Sequence, residues 1–351
     1  MTESSQEPSG FRPPLTSCEL DERVASPSDS VVTALRDCPG DFSVLGANGK
    51  MGFHLCLMLK KALSQLGRDD RVRAVSRFSN LQARREFEAI GCEVVPTDLS
   101  DEQEVEGLPD SENIFFLAGV KFGTTSEPAL LETTNVLMPK LITNRFRESS
   151  FVALSTGCVY SFVRPESGGS REDDEVEPPG AYARSCLGRE QAFNAASLEH
   201  GTRSALVRLN YAMDLRYGVL VDLALKIVAD EPIDLTMGYV NVIWQGDALR
   251  QIVQTLTYAS NPPFMINVAG AEVLRVRDLA LELGKRLGRE VRFEGEEAQT
   301  ALLSNSEKAR KLFGEPEMGI QQMMDWVVDW IGRGGELLGK PTHFQTRDGN
   351  Y

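Results

Sequence analysis

From Phe42 onward, short apolar runs alternate with amphipathic helical segments, and this alternation constrains the fold more than any other feature. The first strand-like runs are FSVL, VRAVS and CEVV, separated by MGFHLCLMLKKAL and LQARREFEAI. Successive strand–helix–strand units form right-handed crossovers between parallel strands. The runs at 113–118, 151–155 and 205–209 continue the pattern. The sequence therefore predicts an α/β fold built on a doubly wound parallel sheet.

Pattern and composition divide the chain into four segments. Residues 1–40 are rich in Ser, Pro and Glu and are predicted to be an arm before the first strand. Residues 41–210 hold the alternation. Residues 211–333, with helices expected at 219–229, 246–258, 276–287 and 320–331, are predicted to cover the substrate and to return segments to the sheet. For the tail, 334–351, fraying is the default expectation, and folding over the site or over a neighbouring subunit is the alternative.

Charge and composition exclude several kinds of partner. The chain has 37 Lys and Arg residues against 51 Asp and Glu, a net charge of −14, so it lacks the general attraction for phosphate that nucleic-acid binders use. No apolar run is long enough to span a membrane, and the first residues lack the pattern of a signal peptide, so we expect a cytoplasmic protein. Six scattered cysteines without a CxxC pair, and three separated histidines, predict neither disulfides nor a metal site.

A glycine-rich loop joins the first strand to the first helix of the alternation, with the sequence Gly46, Ala47, Asn48, Gly49, Lys50, Met51 and Gly52. Glycines at this spacing allow a tight turn and a close approach of the backbone to a pyrophosphate, and the helix N-terminus offers free N–H groups. The spacing alone is a weak signal, but a strand before it and a helix after it are the required context. The loop predicts a Rossmann-like dinucleotide site within residues 41–210.

Residues after the second and third strands bear on which dinucleotide binds. Arg77 stands where NAD-preferring proteins usually carry an acid for the ribose 2′-OH, and a guanidinium pairs better with a 2′-phosphate. NADP is therefore favoured over NAD. Asp98 and Leu99 are positioned to reach the adenine, although Asp98 could equally cap the next helix.

Several motifs together resemble the extended short-chain dehydrogenase/reductase family, in its nucleotide-sugar epimerase/dehydratase branch, over roughly residues 42–315. They are the glycine loop, Asp98-Leu99, Ala118-Gly119 after the fourth strand, Asn135, the segment 155–160 (STGCVY) and the segment 182–185 (YARS). The resemblance implies that Ala118 and Gly119 contact the cofactor. It also implies that Thr156 holds the reacting hydroxyl, that Tyr182 is the acid/base and that Asn135 orders the active-site network.

One position departs from the family pattern. The family places a lysine four residues after the tyrosine, where its charge favours the phenolate, and this chain has Cys186. A substitute cation is the first interpretation, with Lys121 preferred over Arg184 or the oxidised nicotinamide ring. The alternatives are dinucleotide binding without turnover, as a sensor or interaction protein, and chemistry of Cys186 itself as a nucleophile or redox switch.

On the substrate side, Asn210 matches a family position near a substrate diphosphate, and Arg208 and Arg216 could pair with phosphate. The expected function is NAD(P)-dependent redox chemistry at a secondary alcohol or ketone of a sugar-like or nucleotide-sugar substrate. It would occur as net oxidation or reduction, or within epimerisation or dehydration. By analogy with the family, a homodimer using helices around 126–146 and 182–198 is expected.

Overall fold

A computed structural model describes residues 12–120 and 128–349. Its strands, in chain order, are β1 Phe42–Leu45, β2 Val72–Ser76, β3 Glu93–Pro96, β4 Asn113–Phe116, β5 Ser150–Thr156, β6 Arg203–Leu209, β7 Ala212–Met213, β8 Ile233–Asp234, β9 Tyr239–Val240, β10 Ile243–Trp244, β11 Phe264–Val268, β12 Leu274–Arg275 and β13 Phe293–Glu294.

The α-helices are α1 Ser17–Val24, α2 Asp29–Arg36, α3 Gly52–Gln65, α4 Leu81–Ala89, α5 Glu102–Glu106, α6 Pro128–Glu132, α7 Met138–Arg145, α8 Gly180–His200, α9 Val219–Val228, α10 Gln245–Thr255, α11 Val276–Leu287, α12 Glu307–Phe313 and α13 Ile320–Gly332. A π-helical turn, Thr133–Leu137, joins α6 to α7. Helices α9, α10, α11 and α13 confirm the four predicted in the second half of the chain.

Seven strands form one parallel sheet in the order β11-β6-β5-β4-β1-β2-β3. Strand β1 pairs with β2 on one side and β4 on the other, with Leu45 opposite Val75 and Phe116. The strand order reverses between β1 and β4, and in open α/β sheets ligands bind at this switch point beyond the carboxyl ends of the strands. The predicted doubly wound α/β fold is confirmed.

The core lies on both faces of the sheet. Every residue of the central strands β1 and β4 is buried, so both faces of these strands are covered. One apolar cluster includes Phe42, Val44, Phe115 and Val207, and the other includes Leu45, Phe116, Phe151 and Leu206. Neighbouring residues of one strand therefore point to opposite clusters, as strand geometry requires. This two-sided packing fixes the carboxyl ends of the strands, where the site lies.

Residues 12–40 contain more structure than the predicted arm. Thr16 caps α1 by accepting the Glu19 N–H, and Ser28 caps α2 by accepting the Val31 N–H. Both helices place residues spaced four apart in the core with no exposed surface, namely Leu20 and Val24 in α1 and Val31 and Leu35 in α2. The segment is thus an integral layer of the fold.

The second half of the chain packs its aromatic residues into the core. Trp326 and Trp330, four residues apart on α13, are both buried, and Trp326 meets Trp244 edge to face at 5.9 Å. The pair therefore contributes to core packing. In the described residues, no helix combines the length and the apolar character that crossing a bilayer requires.

Candidate active site

The glycine loop lies at the switch point and depends on its glycines. Gly46 has a φ of +83°, and a Cβ added there would lie 2.6 Å from the backbone of Ala118 at the end of β4. A Cβ at Gly52 would lie 2.1 Å from the carbonyl oxygen of Ala47. Helix α3 starts at Gly52, and Met51 before it supplies no side-chain cap. The turn is therefore tight and opens on an uncapped helix N-terminus, as a pyrophosphate site requires.

Two clefts open from the glycine loop. The outer cleft, a cavity of about 340 Å³, extends toward β2 and β3, and its lining includes Gly46, Asn48, Gly49, Arg77, Asp98, Leu99, Ala118 and Gly119. These are eight of the eleven residues predicted to bind the cofactor. Arg77 is exposed at the edge of this cleft.

Asp98 takes part in a turn at the end of β3. Its carboxylate accepts hydrogen bonds from the hydroxyl and the N–H of Ser100 at 2.6 and 3.0 Å. These bonds, together with the nearby charge of Arg77, hold the pKa of Asp98 below its usual value. The cap of α5 is Asp101, which accepts the N–H groups of Gln103 and Glu104. The alternative role of Asp98 as the helix cap is therefore wrong.

The inner cleft, a cavity of about 280 Å³, extends from the same loop toward β5 and β6. Its lining includes Gly46, Gly49, Lys50, Met51, Gly52, Leu117, Thr156, Cys158, Asn210, Tyr211, Tyr217, Leu302, Thr342 and Phe344. The two clefts share Gly46, Gly49 and Leu117. The predicted residues Thr156 and Asn210 thus lie in a cleft that adjoins the predicted dinucleotide site.

Polar groups of the inner cleft are oriented by their neighbours. The Thr156 hydroxyl oxygen accepts the N–H of Cys158 at 3.1 Å, which leaves its proton free to be donated. The Asn210 amide donates to Asn241 and to the carbonyl of Leu302. Tyr211, next in the chain, has a φ of +44°, a strained value for a residue with a side chain. Strain at a cleft wall is typical of functional sites.

Lys50 connects the two sides of the inner cleft. Its ammonium donates to the carbonyl of Ala212 at 3.2 Å and lies 3.3 Å from the ring centre of Tyr217. Burial raises the pKa of Tyr217 to about 12, so its ring stays neutral. Lys50 is the charged side chain of the inner-cleft lining within the described residues. The rest of that wall is apolar or uncharged polar.

The C-terminal tail closes one side of the inner cleft. Both the N–H and the hydroxyl of Thr342 donate to the Asp222 carboxylate on α9, at 2.8 and 2.6 Å. Farther along, Arg347 donates to the carbonyl and the hydroxyl of Thr300. Phe344, between these anchors, is buried and lines the cleft. In the described residues the tail follows the alternative expectation, folding over the site.

Tyr182 stands on the first turn of α8 beside Cys186. The phenol is half-buried and hydrogen-bonded to the Cys186 thiol, one helical turn farther on, with the Cys158 thiol also nearby. Burial, then these two thiols, raises the pKa of Tyr182 well above its usual value. Tyr182 is not in the lining of the inner cleft, and Cys158 is. Burial also raises the pKa of Cys186, which disfavours the thiolate needed for a nucleophile or redox switch.

Asn135 lies in the π-helical turn, a feature that often marks functional sites. It is fully buried, and its amide exchanges hydrogen bonds with the backbone N–H and carbonyl of Val120, after β4. Its Nδ2 also donates to the hydroxyl of Ser185 at 2.8 Å, and its Oδ1 accepts from Arg189 at 2.6 Å. Asn135 therefore connects the end of β4 to helix α8, near Tyr182.

The arginines expected to meet substrate phosphate are occupied elsewhere. Arg208 forms a buried two-point ion pair with Glu190 at 3.0 and 2.8 Å. Arg216 contacts the carboxylates of Asp214 and Asp21 at 3.0 and 2.8 Å, and neither cleft is lined by it. The predicted substrate-binding role of Arg216 is therefore not supported by its position. Both arginines stabilise contacts between elements of the fold.

Of the two side chains proposed as cations for Tyr182, the structure describes one. Arg184 is exposed, two residues along α8 from Tyr182. Lys121 lies outside the described residues. A buried arginine, Arg189, contacts the same network as Asn135 and was missed by sequence reasoning. The available signal was its position seven residues after Tyr182, two turns along the same helix face.

The doubly wound sheet, with its glycine loop at the switch point, defines a Rossmann-like α/β protein. Residues 42–213 match the model of the NAD dependent epimerase/dehydratase family. This match makes the chain similar to that family over nearly half of its length. No curated protein sequence matches it significantly.

Solved structures share the fold at low sequence identity. A UDP-galactose 4-epimerase is 22% identical with a TM-score of 0.66, covering 84% of this chain and 99% of its own. A UDP-glucuronic acid 4-epimerase from Bacillus cereus, in complex with NAD, is 18% identical with a TM-score of 0.69 and the same coverage. A dTDP-glucose 4,6-dehydratase from Streptomyces venezuelae, with NAD bound, is 18% identical with a TM-score of 0.71, covering 83% and 96%.

Proposed function

We propose that the protein carries out NAD(P)-dependent redox chemistry at a secondary alcohol or ketone of a sugar-like or nucleotide-sugar substrate. The reaction would be net oxidation or reduction, or would form part of an epimerisation or dehydration. The observation that carries this proposal is that the two clefts adjoin, with Gly46, Gly49 and Leu117 in the lining of both. An extended ligand crossing that point would run from the Arg77 side to the Thr156 side.

The residues of the outer cleft fit a dinucleotide. The uncapped turn at 46–52 would hold the pyrophosphate, and Asp98 would meet the adenosine half. Exposed Arg77 is suited to a ribose 2′-phosphate, which favours NADP over NAD. When bound, NAD(P) supplies a hydride donor or acceptor at its nicotinamide ring.

Thr156 and Tyr182 would handle the proton at the substrate oxygen. The Thr156 hydroxyl, held through the Cys158 N–H, would donate a hydrogen bond to that oxygen. Because its pKa is raised, the Tyr182 phenol is protonated at neutral pH and is suited to donate a proton to a carbonyl oxygen. In the opposite direction Tyr182 must first lose its proton, so oxidation of an alcohol is expected to accelerate as pH rises.

The inner cleft would hold the reacting part of the substrate. Asn210 supplies a polar group there, while Tyr217 and Phe344 supply flat apolar surface that suits the face of a sugar ring. The solved relatives named above are enzymes of nucleotide sugars, which supports this substrate class. Replacing Phe344 with Ala should raise KM for the substrate while leaving cofactor affinity unchanged.

A homodimer through α7 and α8 is part of the proposal. These helices pack on each other, and exposed leucines stand on them or on the adjoining π-helical turn, namely Leu137 and Leu198. Exposed apolar side chains on neighbouring helices are candidates for burial between subunits. Light scattering should give twice the mass of one chain. The variant Leu198→Lys should lower it, whereas Leu281→Lys, at an exposed leucine of α11, should not.

The function is tested in two stages. Fluorescence titration with NADPH and NADH measures cofactor binding, and absorbance of the reduced cofactor then follows turnover with a panel of sugars and sugar nucleotides. Product analysis by NMR detects epimerisation or dehydration that leaves the cofactor unchanged overall. Thr156→Ala and Tyr182→Phe should each lower turnover by roughly 10²-fold or more while cofactor affinity is retained. Binding of neither cofactor would overturn the proposal.

A second candidate is a dinucleotide-binding protein without turnover. Two observations favour it, namely the thiol of Cys186 at the position of the family's lysine and the position of the Tyr182 phenol off the cleft lining. Cofactor binding without turnover on any panel member, with affinity unchanged by Tyr182→Phe, would favour this candidate over catalysis.

A further inference from the structure

Arg189 is a buried cation with no opposite charge beside it among the described residues. It is 5% exposed, and among the described residues no carboxylate lies within 4.0 Å of it. Its guanidinium donates to the carbonyl of Leu154 at 2.5 Å and to Asn135 Oδ1 at 2.6 Å, while its buried Nε has no hydrogen-bond partner. The side chain is thus held by neutral acceptors that do not neutralise its charge.

The other buried arginines among the described residues form ion pairs with carboxylates. Arg73 faces the carboxylates of Asp41 and Glu93, and Arg208 faces Glu190. Burying a charge costs several kcal/mol unless a counter-charge offsets it. A buried guanidinium held only by neutral groups is therefore available to stabilise an anion that forms nearby.

Arg189 lies on the same face of α8 as Tyr182. Residues 182, 186 and 189 share one face of α8, and helical side chains lean toward the N-terminus of their helix. Arg189 reaches Asn135, which also binds the hydroxyl of Ser185, and that hydroxyl donates to the carbonyl of Tyr182 at 2.8 Å. A Cβ at Gly119, in the outer-cleft lining, would lie 2.5 Å from Arg189 Nη2.

We infer that Arg189 is a positioning residue whose charge stabilises the phenolate of Tyr182, in place of a cation one helical turn after the tyrosine. A catalytic role for this charge rests on the proposed function, but the effect of the Arg189 charge on the ionisation of Tyr182 does not. The charge acts from a fixed position, because two backbone-anchored acceptors, the Leu154 carbonyl and Asn135, hold the guanidinium.

The groups around the phenol differ in the direction in which they shift its pKa. Burial and the thiols of Cys186, on α8, and Cys158, on the turn after β5, raise the pKa of Tyr182, and Arg189 lowers it. Arg189 acts on the Cys186 thiol in the same direction. The neighbouring Tyr160 hydroxyl is engaged by Asn267 and Arg208. Within the described residues, Arg189 is the cation that favours the ionised phenol.

The test measures the ionisation of Tyr182 directly. In the full chain, Tyr182 is replaced by 3,5-difluorotyrosine, whose phenol is intrinsically more acidic, and the ¹⁹F shift is followed against pH. Arg189→Met should move the midpoint up by about 1 pH unit or more, the effect of removing a close opposite charge. Arg189→Lys should keep most of the wild-type midpoint. Cys186→Lys added to Arg189→Met should bring the midpoint down again.

Two further variants show whether a cation other than Arg189 stabilises the Tyr182 phenolate. Arg184→Met removes an exposed charge from the same helix and should move the midpoint by no more than a few tenths of a pH unit, because solvent screens it. Lys121→Met tests the other cation that the sequence offers. An Arg189→Met midpoint equal to that of wild type or of Arg184→Met would overturn the inference, as would a larger effect of Lys121→Met.

A folding defect, and a failure of the proposed function, can each be distinguished from a failure of the inference about Arg189. If circular dichroism shows that Arg189→Met is unfolded, Arg189→Gln, which keeps a hydrogen-bonding amide without charge, replaces it under the same expectations. The titration uses protein without cofactor or substrate. Failure of the protein to bind NAD(P) would therefore overturn the proposed function, whereas an unmoved ¹⁹F midpoint overturns the role of Arg189.

Discussion

Replacing Gly46 with Ala tests whether the glycine loop positions the cofactor. Two costs are expected. A residue with a Cβ pays about 1–2 kcal/mol for the left-handed conformation at φ +83°. The new Cβ would also lie 2.6 Å from the Ala118 backbone and must move out to at least 3.4 Å, and overpacking of this kind costs about 1–3 kcal/mol.

Gly67 provides the matched control. It follows α3, has a φ of +64°, and a Cβ there would have nothing within 4 Å. Gly67→Ala should therefore pay the conformational cost of about 1–2 kcal/mol alone. The two variants share the backbone region and the new methyl group, so the difference between them isolates the contact with the end of β4.

Urea unfolding and cofactor titration measure the two consequences. We expect Gly46→Ala to lose about 2–5 kcal/mol in the free energy of unfolding, with an unchanged dependence on urea concentration. Because the displaced loop would no longer fit the pyrophosphate, its affinity for NADPH or NADH should fall at least about tenfold, or 1.4 kcal/mol. Equal losses of stability and equal affinities in Gly46→Ala and Gly67→Ala would refute the reasoning.

Three other predictions concern single side chains. Arg77→Ala should weaken NADPH binding by about 1.5–3 kcal/mol, the value of a charge-assisted hydrogen bond, and leave NADH binding nearly unchanged; equal losses for both would contradict the 2′-phosphate assignment. Glu190→Gln should cost about 3–5 kcal/mol in urea unfolding, because buried Arg208 loses its counter-charge, whereas the exposed pair partner Glu88→Gln should cost under about 1 kcal/mol. Asp21→Asn should destabilise the protein at neutral pH. Burial raises the pKa of Asp21, but His54 and Arg216 outweigh it and the net pKa is lowered, so this stability is present above pH 3.8 and is lost as pH falls through the lower folded value. A difference between wild type and Asp21→Asn that grows on acidification would be inconsistent with that sign.

The strands and the clefts could be predicted from the sequence because their signals are local. FSVL and VRAVS became β1 and β2 with the predicted bounds, since buried parallel strands are short continuous apolar runs. The glycine loop follows β1 directly and Thr156 ends β5, so predicting the strands placed both at the carboxyl edge of the sheet. By contrast, the Ser- and Pro-rich composition before residue 40 concealed the spacing of Leu20 and Val24, which was the usable signal for α1.

Other features depend on contacts between distant segments. Arg208 and Arg216 are the right residue type for phosphate, but only the fold shows that carboxylates already pair with them. Phe344 belongs to a tail without helical or strand periodicity. The tail is held on either side of Phe344 by hydrogen bonds from Thr342 to Asp222 and from Arg347 to Thr300, which join residues 120 and 47 positions apart. The role inferred for Arg189 requires knowing that no carboxylate of residues 12–120 and 128–349 pairs with it, a property of tertiary structure.

The central claim is that one dinucleotide spans both clefts, and a crystal structure with NADPH or NADH tests it most directly. The distance from the nicotinamide C4 atom to Thr156 Oγ1 is the decisive measurement. We predict that the pyrophosphate lies against residues 46–52 and that this distance is short enough for one substrate carbon–oxygen group to contact both atoms. A dinucleotide bound elsewhere, or with its nicotinamide outside the inner cleft, would contradict the account.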